Sequence, residues 1–202
     1  MWRQSVRTSS RLRLGVVMLV VAGLVSMTGC SGSRSPQRPS PAPSAMNPAA
    51  EPYHNVQDGY SITPPPGWRY RPITPQLGVS AFFAASTADS TGQKPFVDNL
   101  NVVISATDVD LDTAVIQNKQ EFPNNFLNYQ LTTDESVTLP DRRPGHLLGG
   151  TYDQPDVGSL RNLQLFVVNA GHEYVVTATT PTASFARYEP LLRASLLSFA
   201  LT

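Results

Sequence analysis

Residues 160–180, Leu160-Arg-Asn-Leu-Gln-Leu-Phe-Val-Val-Asn-Ala-Gly-His-Glu-Tyr-Val-Val-Thr-Ala-Thr-Thr180, decide the fold class. Two apolar, β-branched runs, Leu160 to Asn169 and Glu173 to Thr180, flank the short break Ala170-Gly171-His172. Runs of that composition are strand-forming, and a connection so short forces antiparallel pairing. Two further candidates, Gln130 to Thr138 and Gly145 to Tyr152, precede them and extend the same sheet.

Toward the N-terminus the pattern continues. A short strand near His54 to Gln57, a turn at Asp58-Gly59 and a strand at Tyr60 to Thr63 read as a hairpin that stops at Pro64-Pro65-Pro66-Gly67. Val79 to Ala85 and Leu100 to Ala106 are strand-like, separated by a loop, Ser86 to Asp98, long enough to border a site. Asp110 is placed to cap a helix through about Phe122, limited by Pro123. A closing helix from about Ser184 to Phe199 carries the stripe Phe185, Tyr188, Leu192, Leu196 and Phe199, which is expected to cover the sheet, with a kink at Pro190. Periodicity alone therefore predicts an α+β domain over residues 51–202.

Ahead of that domain the composition changes twice. Residues 1–13 are basic and polar, and Leu14 to Val25 is an apolar run of the length of a secretory h-region, too short to span a bilayer. It ends in Met27-Thr28-Gly29-Cys30, which resembles the lipobox of bacterial lipoproteins. Residues 1–29 are accordingly expected to be a lipoprotein signal peptide, cut between Gly29 and Cys30. A thiol is needed because sulfur is alkylated by diacylglycerol, and small neighbours admit the peptidase. The finished Cys30 is expected to carry palmitate-like acyl chains, and two or three chains at about 0.8 kcal/mol per buried CH₂ give a stable anchor in the cell membrane. Residues 30–50 hold Pro36, Pro39, Pro41, Pro43 and Pro48 among small polar residues and read as a linker with a reach of about 60 Å at 3.1 Å per residue.

Charge excludes one class of partner. Six of the 15 basic residues (Arg3, Arg7, Arg11, Arg13, Arg34 and Arg38) precede residue 51, leaving nine against all 15 acids in the domain. An acidic domain has no electrostatic footprint for nucleic acid. The single cysteine rules out an intramolecular disulfide and any multi-thiolate metal site.

Few residues suggest chemistry. His54, His146 and His172 lack metal-binding spacing, and no G-x-S-x-G elbow accompanies them, so surface histidines are expected and neither a metal nor another cofactor. Asp108, Asp110 and Asp112 begin like a calcium loop, but no glycine or terminal glutamate follows, and helix capping is the simpler reading. Asn99 and Asn101 are expected to face away from Leu100 and anchor the preceding loop. Trp68, Tyr70 and Arg71 are candidate ligand contacts, able to stack on a sugar or a lipid headgroup, with Trp68 also suited to closing the core.

The segments Tyr60-Ser-Ile-Thr-Pro-Pro-Pro-Gly-Trp68, Asn99-Leu-Asn-Val-Val103 and Leu196-Leu-Ser-Phe199, in that order, resemble the LpqN/LpqT-type actinobacterial (mycobacterial-like) lipoproteins, which are related to PsbP-like and DcrB-like domains. The resemblance spans most of residues 53–201. It implies an α/β/α sandwich with a mainly antiparallel, twisted sheet, and a binding or accessory role with no shared catalytic motif. The expected function is that of a non-enzymatic envelope lipoprotein on the extracytoplasmic face, held to the membrane by diacylglyceryl-Cys30 and serving a protein partner or an amphiphilic ligand. The alternatives are a lipid or glycolipid carrier, which requires an apolar cavity between sheet and helix, and a hydrolase of envelope polymers or esters, which requires paired titratable groups in a cleft.

Overall fold

Ala170 and Gly171 both take left-handed backbone angles, φ 48° and 77°, and pair Asn169 directly with His172. That is the two-residue turn whose twist matches a hairpin. In the computed structural model, which describes residues 50–72 and 78–202, the chain runs β1 (Tyr53–Asn55), β2 (Tyr60–Ile62), β3 (Arg69–Tyr70), β4 (Val79–Ala84), β5 (Asn99–Ala106), α1 (Leu111–Asn125), β6 (Leu127–Thr138), β7 (Pro144–Gln154), β8 (Gly158–Asn169), β9 (His172–Pro181), α2 (Thr182–Leu197) and β10 (Ala200–Leu201). Seven strands form one antiparallel sheet in the order β3-β4-β5-β9-β8-β7-β6, so the hairpin at 158–181 lies near its centre.

Alternation along the strands builds a layer on each side. Leu147, Leu163, Leu165, Val176 and Ala178 face α2 and pack with Phe185, Leu192, Leu196 and Phe199. Their chain neighbours Leu148, Phe166 and Val175 face the other way and meet Val115 and Phe122 of α1. One helix covers each face of the sheet, which makes an α/β/α sandwich. The predicted α2 stripe is buried throughout except Tyr188, which is partly exposed.

A second, three-stranded sheet of order β1-β2-β10 closes the α2 side. The Tyr60 ring stacks on Phe199 at 5.3 Å, and the chain end is tied back by Thr202 N–H donating to Gly59 O at 2.9 Å. Thr63 N–H donates to Ser198 Oγ (2.8 Å) and Ser195 Oγ–H to Thr63 O (2.6 Å), which fixes the start of the proline turn against the end of α2.

Asp110 caps α1, its carboxylate accepting from Thr113 N–H at 2.8 Å, as the spacing predicts. The helix does not stop at Pro123 but runs to Asn125. Proline there forfeits only its own donor, and Phe126 N–H bonds Phe122 O at 2.9 Å to finish the last turn. Likewise α2 continues through Pro190, which lies on its exposed side.

Candidate functional site

The proline turn delivers the three predicted contact residues to the β3 end of the large sheet, where β3 is the outermost strand among the described residues. Trp68 N–H donates to Pro65 O at 3.0 Å, Gly67 takes φ 81°, and the chain then pairs as β3 with Tyr70 opposite Phe83. Arg71 N–H bonds Phe82 O at 2.8 Å and extends the pairing by one residue. Trp68 is half-buried against the main core, so its packing role is the one observed. Tyr70 remains 43% exposed, and Arg69 and Arg71 on either side of it are exposed.

Tyr70 does not stand alone. Tyr53, from the hairpin outside the large sheet, stacks on it at 5.3 Å with the rings 14° from parallel. Both rings meet Phe83 edge-on, at 5.8 Å and 5.1 Å. A polar net holds that hairpin in place: Asn55 Nδ2 donates to Ser80 Oγ (2.9 Å) and Asp58 Oδ2 (3.0 Å), Tyr60 Oη and Ser80 Oγ share a bond of 2.9 Å, and Ser80 bonds Asp58. Burial pushes the Tyr60 hydroxyl up to about 12, so it stays protonated. The outcome is a stacked pair of phenol rings at the end of the domain where residues 50–53 enter, with the exposed Arg69 and Arg71 next to Tyr70 in the chain. Stacked aromatics offer apolar area at low entropic cost, and arginine recognises carboxylate or phosphate in a planar fork.

The histidines are dispersed, but not all are isolated. His146 Nε2 lies 2.7 Å from Asp134 Oδ1 and its Nδ1 lies 3.5 Å from Ser136 Oγ, while Lys119 pairs with the same carboxylate. The order of contacts is that of a hydrolase triad, yet the geometry differs from one. The serine contact is at the limit of a hydrogen bond, Ser136 and Asp134 are exposed on the outermost strand pair, and the carboxylate is shared with lysine. Those bonds pin the edge strand to α1, as Arg193 with Glu135 (both nitrogens at 2.8 Å) pins it to α2. His172 Nδ1 faces Ala170 O at 3.2 Å across the hairpin turn, and His54 lies on exposed β1. Among the described residues no three His, Cys, Asp or Glu side chains are placed to hold a metal ion.

Asn99 anchors the loop between β4 and β5 as expected, its Nδ2 donating to Val97 O at 3.0 Å, and Asp89 and Phe96 bridge the two arms, but Asn101, buried on β5, makes no side-chain bond to the loop among the described residues. The loop delivers a buried acid that sequence reading missed. Asp98 is 1% exposed, and burial together with the neighbouring Asp89 carboxylate pushes it up to about 7, against the opposing pull of Thr180 and Arg187. Asp89 is itself partly desolvated, but bonds from Ser184 and Thr91 and the Arg187 charge hold it below the usual carboxylate range. Beside this loop a surface depression of about 500 Å³ lies between Thr91–Gln93, Ser159 and the start of α2 at Pro181–Ala183. It sits at the rim, whereas between the sheet and α2 the fully buried Leu163, Leu165, Leu192 and Leu196 pack together.

Gly29, Cys30 and the linker of residues 30–50 lie outside the described residues, apart from Ala50. No helix among the described residues is long and apolar enough to cross a membrane.

No family model and no curated protein matches the chain, but solved structures do. A cyanobacterial PsbP from Synechocystis superposes with a TM-score of 0.57 at 16% identity, over 78% of this chain and 96% of that one. The fold is PsbP-like. LpqN of Mycobacterium tuberculosis, a protein involved in cell envelope biogenesis, superposes with a TM-score of 0.53 at 17% identity, over 75% of this chain and 90% of that one. A Pseudomonas aeruginosa protein of unknown function scores 0.53 at 12% identity, covering 67% and 97%. At these identities the likeness is one of architecture alone.

Proposed function

We propose that this chain is a non-enzymatic accessory module of the cell envelope. In this reading Cys30 carries the diacylglyceryl thioether, residues 30–50 tether the domain, and the Tyr53–Tyr70 edge with Arg69 and Arg71 engages a protein partner or an amphiphilic envelope ligand. The observation that carries it is the Tyr53–Tyr70 stack, with Tyr70 exposed and the exposed Arg69 and Arg71 beside it in the chain, on the outermost described strand of the large sheet. The fold shared with LpqN, an envelope biogenesis protein, and the absence of a triad geometry at His146 support the same reading.

The anchor is tested by Cys30→Ala in the native host. The expected result is that the processed, diacylglyceryl-modified form disappears from the membrane fraction and the chain is recovered without the glyceryl and acyl mass. Unchanged mass with unchanged fractionation removes the anchor from the account. The edge is tested separately with Tyr70→Ala and Arg71→Glu, which leave the core intact and are expected to abolish partner or ligand retention while the fold and the anchor persist.

A further inference from the structure

Two acids and two hydroxyls meet where the β4–β5 loop crosses the start of α2. Asp98, at the end of that loop, is 1% exposed, and its Oδ1 has no partner. The Thr180 hydroxyl, from β9, interacts with Asp98, and the Ser184 hydroxyl, from the first turn of α2, interacts with Asp89. Thr180 Oγ1 and Ser184 Oγ are 2.9 Å apart, and both residues are buried. The four side chains therefore form a row, Asp98 to Thr180 to Ser184 to Asp89, with three links.

Hydrogen counting shows which charge state fits this row. Each hydroxyl donates one hydrogen and a carboxylate donates none. With both acids ionised, two hydrogens serve three links, and one link becomes a pair of facing lone pairs in a buried place, which is costly. The Pro181 carbonyl, 3.1 Å from Ser184 Oγ and 3.3 Å from Thr180 Oγ1, adds an acceptor and no hydrogen. One proton completes the row: Asp98 donates to Thr180, Thr180 to Ser184, and Ser184 to the Asp89 carboxylate. Asp89 is the member that stays ionised, because Thr91 donates to it from both N–H (2.8 Å) and Oγ1 (2.6 Å). Besides Asp89, the titratable groups facing Asp98 are Arg187 and Tyr188 of α2, and the exposed Arg187 is screened by water. Burial and the Asp89 charge push Asp98 up to about 7, which agrees with the count.

The same row fixes the loop. Asp89 is partly buried while Thr87, Ala88, Ser90 and Thr91 around it are exposed, so the first arm meets α2 through that one carboxylate. The second arm is held independently, by buried Phe96 among Tyr152, Val157 and Leu160 and by Gln93 N–H donating to Val157 O at 3.1 Å. We infer that Asp98, Thr180, Ser184 and Asp89 share a single proton that latches the first arm of the β4–β5 loop onto α2, and that loss of this proton to solvent releases the arm. Release widens the depression between Thr91–Gln93 and Pro181–Ala183. This device is separate from the anchor and the tyrosine edge, and neither claim rests on the other.

The test is amide hydrogen exchange of the full chain at pH 5.5 and 8.5, corrected for the intrinsic pH dependence of exchange. The reporters are Asp89 N–H and Phe96 N–H, which bond each other's carbonyls at 2.7 Å and 2.8 Å. Their protection is expected to fall roughly tenfold or more at the higher pH, with Val176 in the central strand still far better protected, as local opening requires. An asparagine at either end supplies the missing hydrogen from its amide, so both Asp98→Asn and Asp89→Asn are expected to abolish the fall. Asp89→Asn, at a partly exposed position, carries the test alone if Asp98→Asn does not fold. Protection that is equal at both pH values overturns the inference, as does a fall shared equally by Val176. A fall that persists in Asp89→Asn overturns it too, since burial of Asp98 alone would then explain the pH dependence without a shared proton.

Discussion

Replacing Asp98 by asparagine is expected to reverse part of the pH dependence of this fold. Asp98 is 1% exposed, one carboxylate oxygen lacks a partner, and its pKa rises from 3.8 to about 7 as burial and the Asp89 charge disfavour ionisation. A folded pKa above the unfolded value means that the folded state holds the proton more tightly. The stability contribution is therefore complete below about pH 4 and is lost as the pH rises through about 7. A gap of about three pKa units, at about 1.4 kcal/mol each, amounts to roughly 4 kcal/mol over that window. Asp134, Glu135 and Asp89 act in the opposite sense, since their depressed values add stability as the pH rises. The comparison of Asp98→Asn with the unmodified chain cancels the Asp134 and Glu135 terms, while Asp89, which is coupled to Asp98, shifts with it. Urea unfolding of both proteins at pH 5, 6, 7 and 8 is expected to show the variant gaining about 3 kcal/mol relative to the parent across the series. A constant difference at every pH would refute the reasoning, because it would mean that Asp98 titrates alike in the folded and unfolded chains.

Three further changes probe the scaffold. Ala170 holds φ 48° at the first position of the β8–β9 turn, where left-handed geometry costs a residue with a Cβ roughly 1–2 kcal/mol, so Ala170→Asn is expected to stabilise by about 0.5–1 kcal/mol in chemical denaturation. Leu196 is wholly buried between α2 and the sheet, and Leu196→Ala is expected to cost about 3 kcal/mol and lower Tm by roughly 9 °C by calorimetry. Gln164→Leu replaces a fully buried side chain whose two amide atoms have no partner among the described residues and is expected to raise unfolding stability by about 1 kcal/mol or more in chemical denaturation, a loss of stability being the contrary result.

Much of the architecture was legible because it rests on local signals. Ala170-Gly171 between two apolar runs fixed the central hairpin and Asp110 the start of α1; Asp58-Gly59 located the outer hairpin, but its turn takes residues 56–59, with Asn55 opposite Tyr60, so β1 ends before Gln57. The two-residue strands β3 and β10 were not, since a pair of residues carries no period and their pairing is set wholly by β4 and β2. Pro123 reads as a stop in sequence, yet near a C-terminus a lost donor is affordable and tertiary packing of Phe122 and Phe126 prolongs the helix.

The candidate sites divide the same way. Trp68, Tyr70 and Arg71 stand together in the chain and were visible as a cluster, but their partner Tyr53 is brought in by tertiary contact alone. Knowing that the Asp58-Gly59 hairpin pairs Tyr53 with Ile62 is not enough to place its ring on Tyr70. Asn162, Gln164, Thr177 and Thr179 alternate with apolar residues and so resemble a solvent-facing side of a sheet. They are nevertheless buried, by cover that the rest of the fold supplies and no local pattern announces.

The tyrosine edge is tested most directly by placing a photo-crosslinking side chain at position 70, and for comparison at Ile116, which is 55% exposed on α1 well away from that edge. Irradiation of intact cells is expected to give discrete adducts in the membrane fraction from position 70, lost when Arg71→Glu is added, and none from position 116. Equal adducts from both positions, or adducts that survive Arg71→Glu, would contradict a binding role for this edge.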